Sequence, residues 1–173
     1  LSESVPFTME ADSLNCIVLD DDVTPGIPEW DIFIKEVRKE MTTKAGQKCT
    51  AIRRIFVPEN KMEDVWKALI TSLKQTTIGN PLNEKVRMGS LAGQSQREEV
   101  RAQVSKLLAT SQLIYGSLDS VEVIDADPKK GAFISPLLLM NEKPFASNEA
   151  HEVEAFGPVS TIMPYKHMDE AID

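Results

Sequence analysis

A chain of 173 residues, 42% hydrophobic and carrying charges of both signs, is long enough for one domain with its own core and is ordinary in composition for a globular protein. Its net charge of −8 opposes binding to a polyanion, and the basic residues form no cluster beyond adjacent pairs such as Arg53-Arg54 and Lys129-Lys130, which argues against nucleic acid as a partner. Two cysteines without CxxC spacing, and no apolar stretch as long as a bilayer is thick, point away from a disulfide framework, a cysteine metal site and a membrane span, and towards a reducing, cytoplasmic location.

In chain order, the short apolar run Asn15 to Leu19 predicts a buried strand, and Asp20-Asp21-Asp22 after it predicts a solvated acidic turn that lacks the alternating ligands of a calcium loop. Residues 29 to 43 predict a helix, because Trp30, Phe33, Ile34, Val37 and Met41 recur three or four apart. That helix ends near Gly46, which leaves Cys49 in the turn before a strand at Ile55 to Val57. From Lys61 to Gln75 the stripe Met62, Val65, Trp66, Leu69, Ile70 and Leu73 predicts a second helix, closed by Gly79 and Pro81. Val100, Val104, Leu107 and Leu108 predict a third over Arg97 to Leu108. Gln112 to Tyr115 and Val121 to Ile124 alternate as strands do. Phe133 to Met140 predicts another, with Pro136 at a bulge or an edge, and Val159 to Tyr165 the last. Strands separated by helices imply one α/β domain over 1–173, with a mostly parallel sheet and helices on both faces.

The segment Ala45 to Arg54 concentrates the chemistry. A nucleophilic thiolate needs partial exposure and nearby positive or dipolar stabilisation, and a Gly-flanked loop with Lys48, Arg53 and Arg54 close in sequence to Cys49 can supply both. The residue types alone leave a buried structural thiol as the alternative. His151 and His167 read as surface residues, with no spacing that suggests a metal.

The spelling Gly46-Gln47-Lys48-Cys49-Thr50-Ala51, followed by arginine and an apolar strand, resembles the nucleophile segment of the aldehyde dehydrogenase superfamily. Phe7 to Ser13 stands where that family writes Glu-Leu-Gly-Gly, so Glu10 matches its general base, although Ala11-Asp12 replace the two glycines. Glu154-Ala155-Phe156-Gly157-Pro158-Val159 resembles its ExFGPV motif, whose glutamate binds the hydroxyls of the nicotinamide ribose; Glu154 and Phe156 match its cofactor-binding positions. Ile78 to Pro81, Met88-Gly89 and Gly131 to Pro136 resemble its connecting segments. The wording EADSLN with TTKAGQKCTAIRR is similar to the semialdehyde-oxidising half of the bifunctional phenylacetate-degradation subfamily, in which a ring-opening hydratase is fused to the dehydrogenase.

The resemblance implies the aldehyde dehydrogenase catalytic-domain fold, in a fragment without the cofactor domain and inactive alone. It implies oxidation of an aldehyde, a coenzyme A-linked semialdehyde, to the carboxylic acid with NADP or NAD, NADP being favoured, in an intact enzyme that is a homo-oligomer. Cys49 would form the thiohemiacetal and thioester, and Glu10 would activate the deacylating water. Two rivals are a cysteine-dependent thioester hydrolase, which needs a histidine against Cys49, and a non-catalytic interaction module of the same fold.

Overall fold

The structure is a computed structural model that describes residues 13–172. Helix α1, Pro28–Thr42, starts on a proline whose fixed φ suits a first helical turn, with Glu29 and Asp31 near the positive end of the helix dipole. It buries Trp30, Phe33, Ile34, Val37 and Met41, the five residues of the predicted stripe. The chain then enters a 3₁₀ turn, Thr43–Gly46, in which Lys44 and Ala45 both take a left-handed φ of 53°. That reversal delivers the Cys49 loop to the start of β2, Ile52–Pro58.

The sheet has five strands in the order β1-β2-β5-β4-β3. Strand β1, Asn15–Val18, runs parallel to β2, and β2 runs parallel to β5, Val159–Tyr165. Strand β4, Leu137–Met140, is parallel to β5, and β3, Gln112–Tyr115, closes the far side antiparallel to β4. Because successive side chains in a strand point to opposite faces, each strand feeds two cores. Ile55, Val57, Leu138 and Ile162 pack with α1 and with α2, Met62–Leu73. On the other face, Leu137, Leu139 and Val159 pack with Val100, Val104 and Leu107 of α3, Gln94–Leu107. Phe56, Met163 and Tyr165 join Ala150 of α4, Glu149–Glu152, and Ala171 of α5, Met168–Ile172, on that same side. The predicted parallel sheet with helices on both faces is therefore present.

Three local expectations need correction, and a fourth needs an addition. The run predicted as a buried strand at Asn15 to Leu19 is an edge strand, and Asn15 and Cys16 are exposed on it because nothing pairs with its outer side among the described residues. Val121 to Ile124 alternates but forms no strand; only Ile124 makes an isolated bridge, to Gly79. Of Phe133 to Met140, only Leu137–Met140 joins the sheet, starting just after Pro136, which has no N–H to give to a ladder. The acidic side chains of Asp20 to Asp22 are exposed as expected, but the turn is pinned from beneath: Lys61, 9% exposed, donates from its ammonium to the carbonyls of Asp21 and Val23. Among the described residues no helix is long and apolar enough to cross a membrane.

Candidate active site

Cys49 is exposed on the loop between the 3₁₀ turn and β2. The loop is closed by its own main chain: Gln47 N–H donates to Lys44 O (3.1 Å), Lys48 N–H to Gly46 O (3.0 Å) and Ala51 N–H to Lys48 O (3.2 Å). From outside, β1 and Ser13 before it hold Cys49 by its carbonyl. The Ser13 hydroxyl donates to Cys49 O at 2.6 Å and the Asn15 side-chain amide donates to the same oxygen. Gln47 also ties the loop to the stretch before α3, accepting from Ala92 N–H at 2.9 Å.

The three cations expected around the thiol are engaged elsewhere. Lys48 forms an ion pair with Glu40 at 2.7 Å. Arg53 and Arg54 sit where the register of β2 against β1 shifts, and each finds its own acceptors. Arg54 donates to Leu14 O (2.9 Å), lies 5.9 Å from the Phe56 ring centroid, and approaches Nδ1 of His151 at 3.3 Å. With a guanidinium there, Nδ1 is assigned as the acceptor and Nε2 as the donor to Pro144 O (3.0 Å). His151 is thus a half-buried bridging residue and not the surface residue expected; His167 is exposed.

Glu154 is no ordinary turn residue. Its side chain is 6% exposed, and its carboxylate accepts from Arg53 Nε at 3.2 Å and from Ser13 N–H at 2.9 Å. Arg53, 4% exposed in its side chain, spends the rest of its fork on Gly157 O (2.6 Å) and Gly46 O (2.8 Å). Burial pulls the Arg53 guanidinium below the usual arginine range, and the Glu154 charge pushes it back up. Phe156 stacks under the same guanidinium, 5.6 Å from centroid to Cζ, while its carbonyl accepts from Gln96 Nε2 at 3.0 Å.

These residues meet in one cleft of about 530 Å³ lined by Ser13, Cys49, Gln96, Glu154 and Phe156 among others. A larger cleft, about 640 Å³, lies between Lys74 to Ile78 and the Tyr115 to Pro136 stretch, but it holds neither the thiol nor Glu154, so the site is assigned to the smaller one. Of the four residues singled out in the sequence, the structure brings Cys49, Glu154 and Phe156 together; Glu10 lies outside the described residues. Sequence reasoning missed Ser13, Asn15 and the true role of Arg53. Only Asn15 left a signal, as a polar residue at the mouth of an apolar run.

A mostly parallel α/β domain that presents a thiol and a buried carboxylate in one cleft is what the fold and site define. The chain belongs to the aldehyde dehydrogenase family, whose model matches residues 3–173. It is 39% identical over 172 residues to 3,4-dehydroadipyl-CoA semialdehyde dehydrogenase of Aromatoleum evansii, a match that covers 99% of this chain and 33% of that protein. The chain thus spans about a third of the length of this curated relative. Among solved structures, aldehyde dehydrogenase 21 of Physcomitrella patens, in complex with the reaction product succinate, superposes with a TM-score of 0.72 at 26% identity, over 93% of this chain and 30% of that one. Betaine aldehyde dehydrogenase of Staphylococcus aureus in complex with NAD+ shares the fold, with a TM-score of 0.76 at 24% identity over 92% of this chain and 30% of the other.

Proposed function

We propose that the protein oxidises an aldehyde to a carboxylic acid, with this chain as part of its catalytic domain and a separate cofactor domain supplied by the longer protein. The observation that carries this is the placement of Cys49 and Glu154 in one cleft, with the Cys49 main chain fixed by Ser13 and Asn15. Cys49 Sγ, as the thiolate, adds to the aldehyde carbon and gives a thiohemiacetal; the Cys49 backbone N–H is a donor for the developing oxyanion. A nicotinamide bound beside Glu154 and Phe156 would supply the hydride acceptor. Hydride loss leaves a thioester on Cys49, and Glu10 takes a proton from the water that releases the acid and regenerates the thiol.

The residues present suit such a cofactor. Glu154 offers only acceptor atoms, held in a fixed orientation by Arg53 and Ser13, which fits a sugar diol that must donate. The likeness to a coenzyme A-linked semialdehyde dehydrogenase supports a semialdehyde of that class as substrate, and the resemblance favours NADP over NAD. The thioester hydrolase reading is weaker, because both ring nitrogens of His151 are committed, to Arg54 and Pro144, and Cys49 has no histidine partner among the described residues.

The test separates the two central residues in the full-length protein. Cys49→Ala should abolish reduced-cofactor formation. Glu10→Gln should permit up to one equivalent per site and then stall as an acyl-enzyme visible by rapid quench and mass detection. Sustained turnover by Glu10→Gln without a covalent adduct would remove Glu10 from deacylation, and turnover by Cys49→Ala would overturn the mechanism.

A further inference from the structure

The Arg53 side chain ties the chain just before Cys49 to the Glu154–Gly157 segment. Its Nη2 donates to Gly46 O, three residues before Cys49, and its Nη1 and Nε reach Gly157 O and the Glu154 carboxylate, on either side of Phe156. The guanidinium also covers one face of the Phe156 ring. All of this happens away from water, where a planar fork with fixed donor directions defines geometry and a point charge on a flexible stem does not. With Arg53 on Oε1 and Ser13 N–H on Oε2, the Glu154 carboxylate has one orientation, and its remaining lone pairs are aimed before any ligand arrives.

We propose that Arg53 is a positioning residue for cofactor binding: it presets Glu154 so that the nicotinamide ribose meets an acceptor already in place. The proposal rests on Glu154 taking the ribose hydroxyls. Preorganisation of this kind acts on affinity, since a carboxylate that must be ordered on binding costs free energy that a fixed one does not. Lysine at this position keeps a positive charge near Glu154 and loses the contacts to Gly46 and Gly157, so charge and geometry can be told apart.

The experiment uses the full-length protein carrying Arg53→Lys, Glu154→Gln, or Arg53→Met with Glu154→Gln. The last removes both buried charges together and so avoids leaving one unpaired. NAD+ and NADP+ binding is titrated directly by tryptophan fluorescence, alongside kcat and the cofactor KM, with thermal midpoints as the control for folding. Arg53→Lys should raise the cofactor Kd and KM tenfold or more while kcat at saturating cofactor stays within about threefold. The double variant should bind no more weakly than Glu154→Gln alone, because Arg53 acts through Glu154. An Arg53→Lys protein with a lower thermal midpoint and an unchanged Kd would overturn the proposal and leave Arg53 structural. If Glu154→Gln weakens binding while Arg53→Lys does not, the positioning role alone fails; if Glu154→Gln also binds normally, the ribose assignment fails with it.

Discussion

The carbonyl oxygen of Gly157 occupies the space in which a side chain on Gly46 would begin. A Cβ built on Gly46 would lie 2.1 Å from that oxygen, and the Gly46 backbone has a left-handed φ of +70°. Gly26, with φ +98°, has the same backbone preference but nothing within 4 Å of a Cβ. Gly26→Ala should therefore cost only the left-handed backbone penalty, about 1–2 kcal/mol. Gly46→Ala adds a clash with backbone that cannot rotate away, and its loss should be roughly twice that or more. Urea unfolding of the two variants checks this; equal losses would mean that the Gly46–Gly157 contact is slack.

Tyr165 is 1% exposed, and its hydroxyl donates to Leu19 O at 2.6 Å, which ties β5 to the end of β1. Burial, with the nearby charges of Asp21 and Asp20, pushes its phenol up to about 12. The folded state therefore holds this proton more tightly than the unfolded chain, where tyrosine titrates near 10. Between about pH 10 and 12 the unfolded state binds fewer protons, so the stability contribution is complete below pH 10 and falls as pH rises through that window. Tyr165→Phe should lose about 1 kcal/mol at neutral pH, through the unmet Leu19 carbonyl, and should flatten the decline of stability between those values. An alkaline unfolding profile unchanged by Tyr165→Phe would show that another group titrates there.

Ser13 and Asn15 hold Cys49, the proposed nucleophile, by hydrogen bonds at the protein surface, where each contributes little to stability. Their effect should fall on geometry instead, since small displacements of a reacting atom slow the step it performs. The pair Ser13→Ala with Asn15→Ala, in the full-length protein, should slow thioester formation about tenfold or more while the unfolding free energy changes by no more than about 1 kcal/mol. Stopped-flow measurement of the reduced-cofactor burst, beside a denaturant titration, would check both halves; a normal burst would show that the loop needs no external support.

The helices were legible because a 3.6-residue period is a local signal: the stripe from Trp30 to Met41 predicts α1 to within a residue at each end. Strand order is not local. Cys16 looks buried within its apolar run and is exposed because β1 lies at an edge, a fact set by which strands pair and not by the residues around it. Val121 to Ile124 has the right alternation and lacks a partner strand, so alternation alone misleads. At the cleft, the motif spelling singled out Cys49, Glu154 and Phe156, which the fold brings together, yet proximity in sequence suggested that Arg53 served the thiol. Its true partner stands 101 positions further on, and only the folded chain brings the two together.

The central place of β5 in the sheet also has a consequence for how the chain comes off the ribosome. Strands β1 and β2 with their helices α1 and α2 emerge first, then β3 and β4, and no strand ladder joins the two pieces until Val159–Tyr165 slots between β2 and β4. Until then the inner edges of β2 and β4 present open main-chain groups, flanked by Ile55, Val57, Leu138 and Leu139, which are fully buried in the finished domain. Such a late, non-local closure makes assembly slow and leaves two adhesive strand edges waiting for the same partner. A nascent chain that pauses before residue 165 thus exposes both of these edges at once.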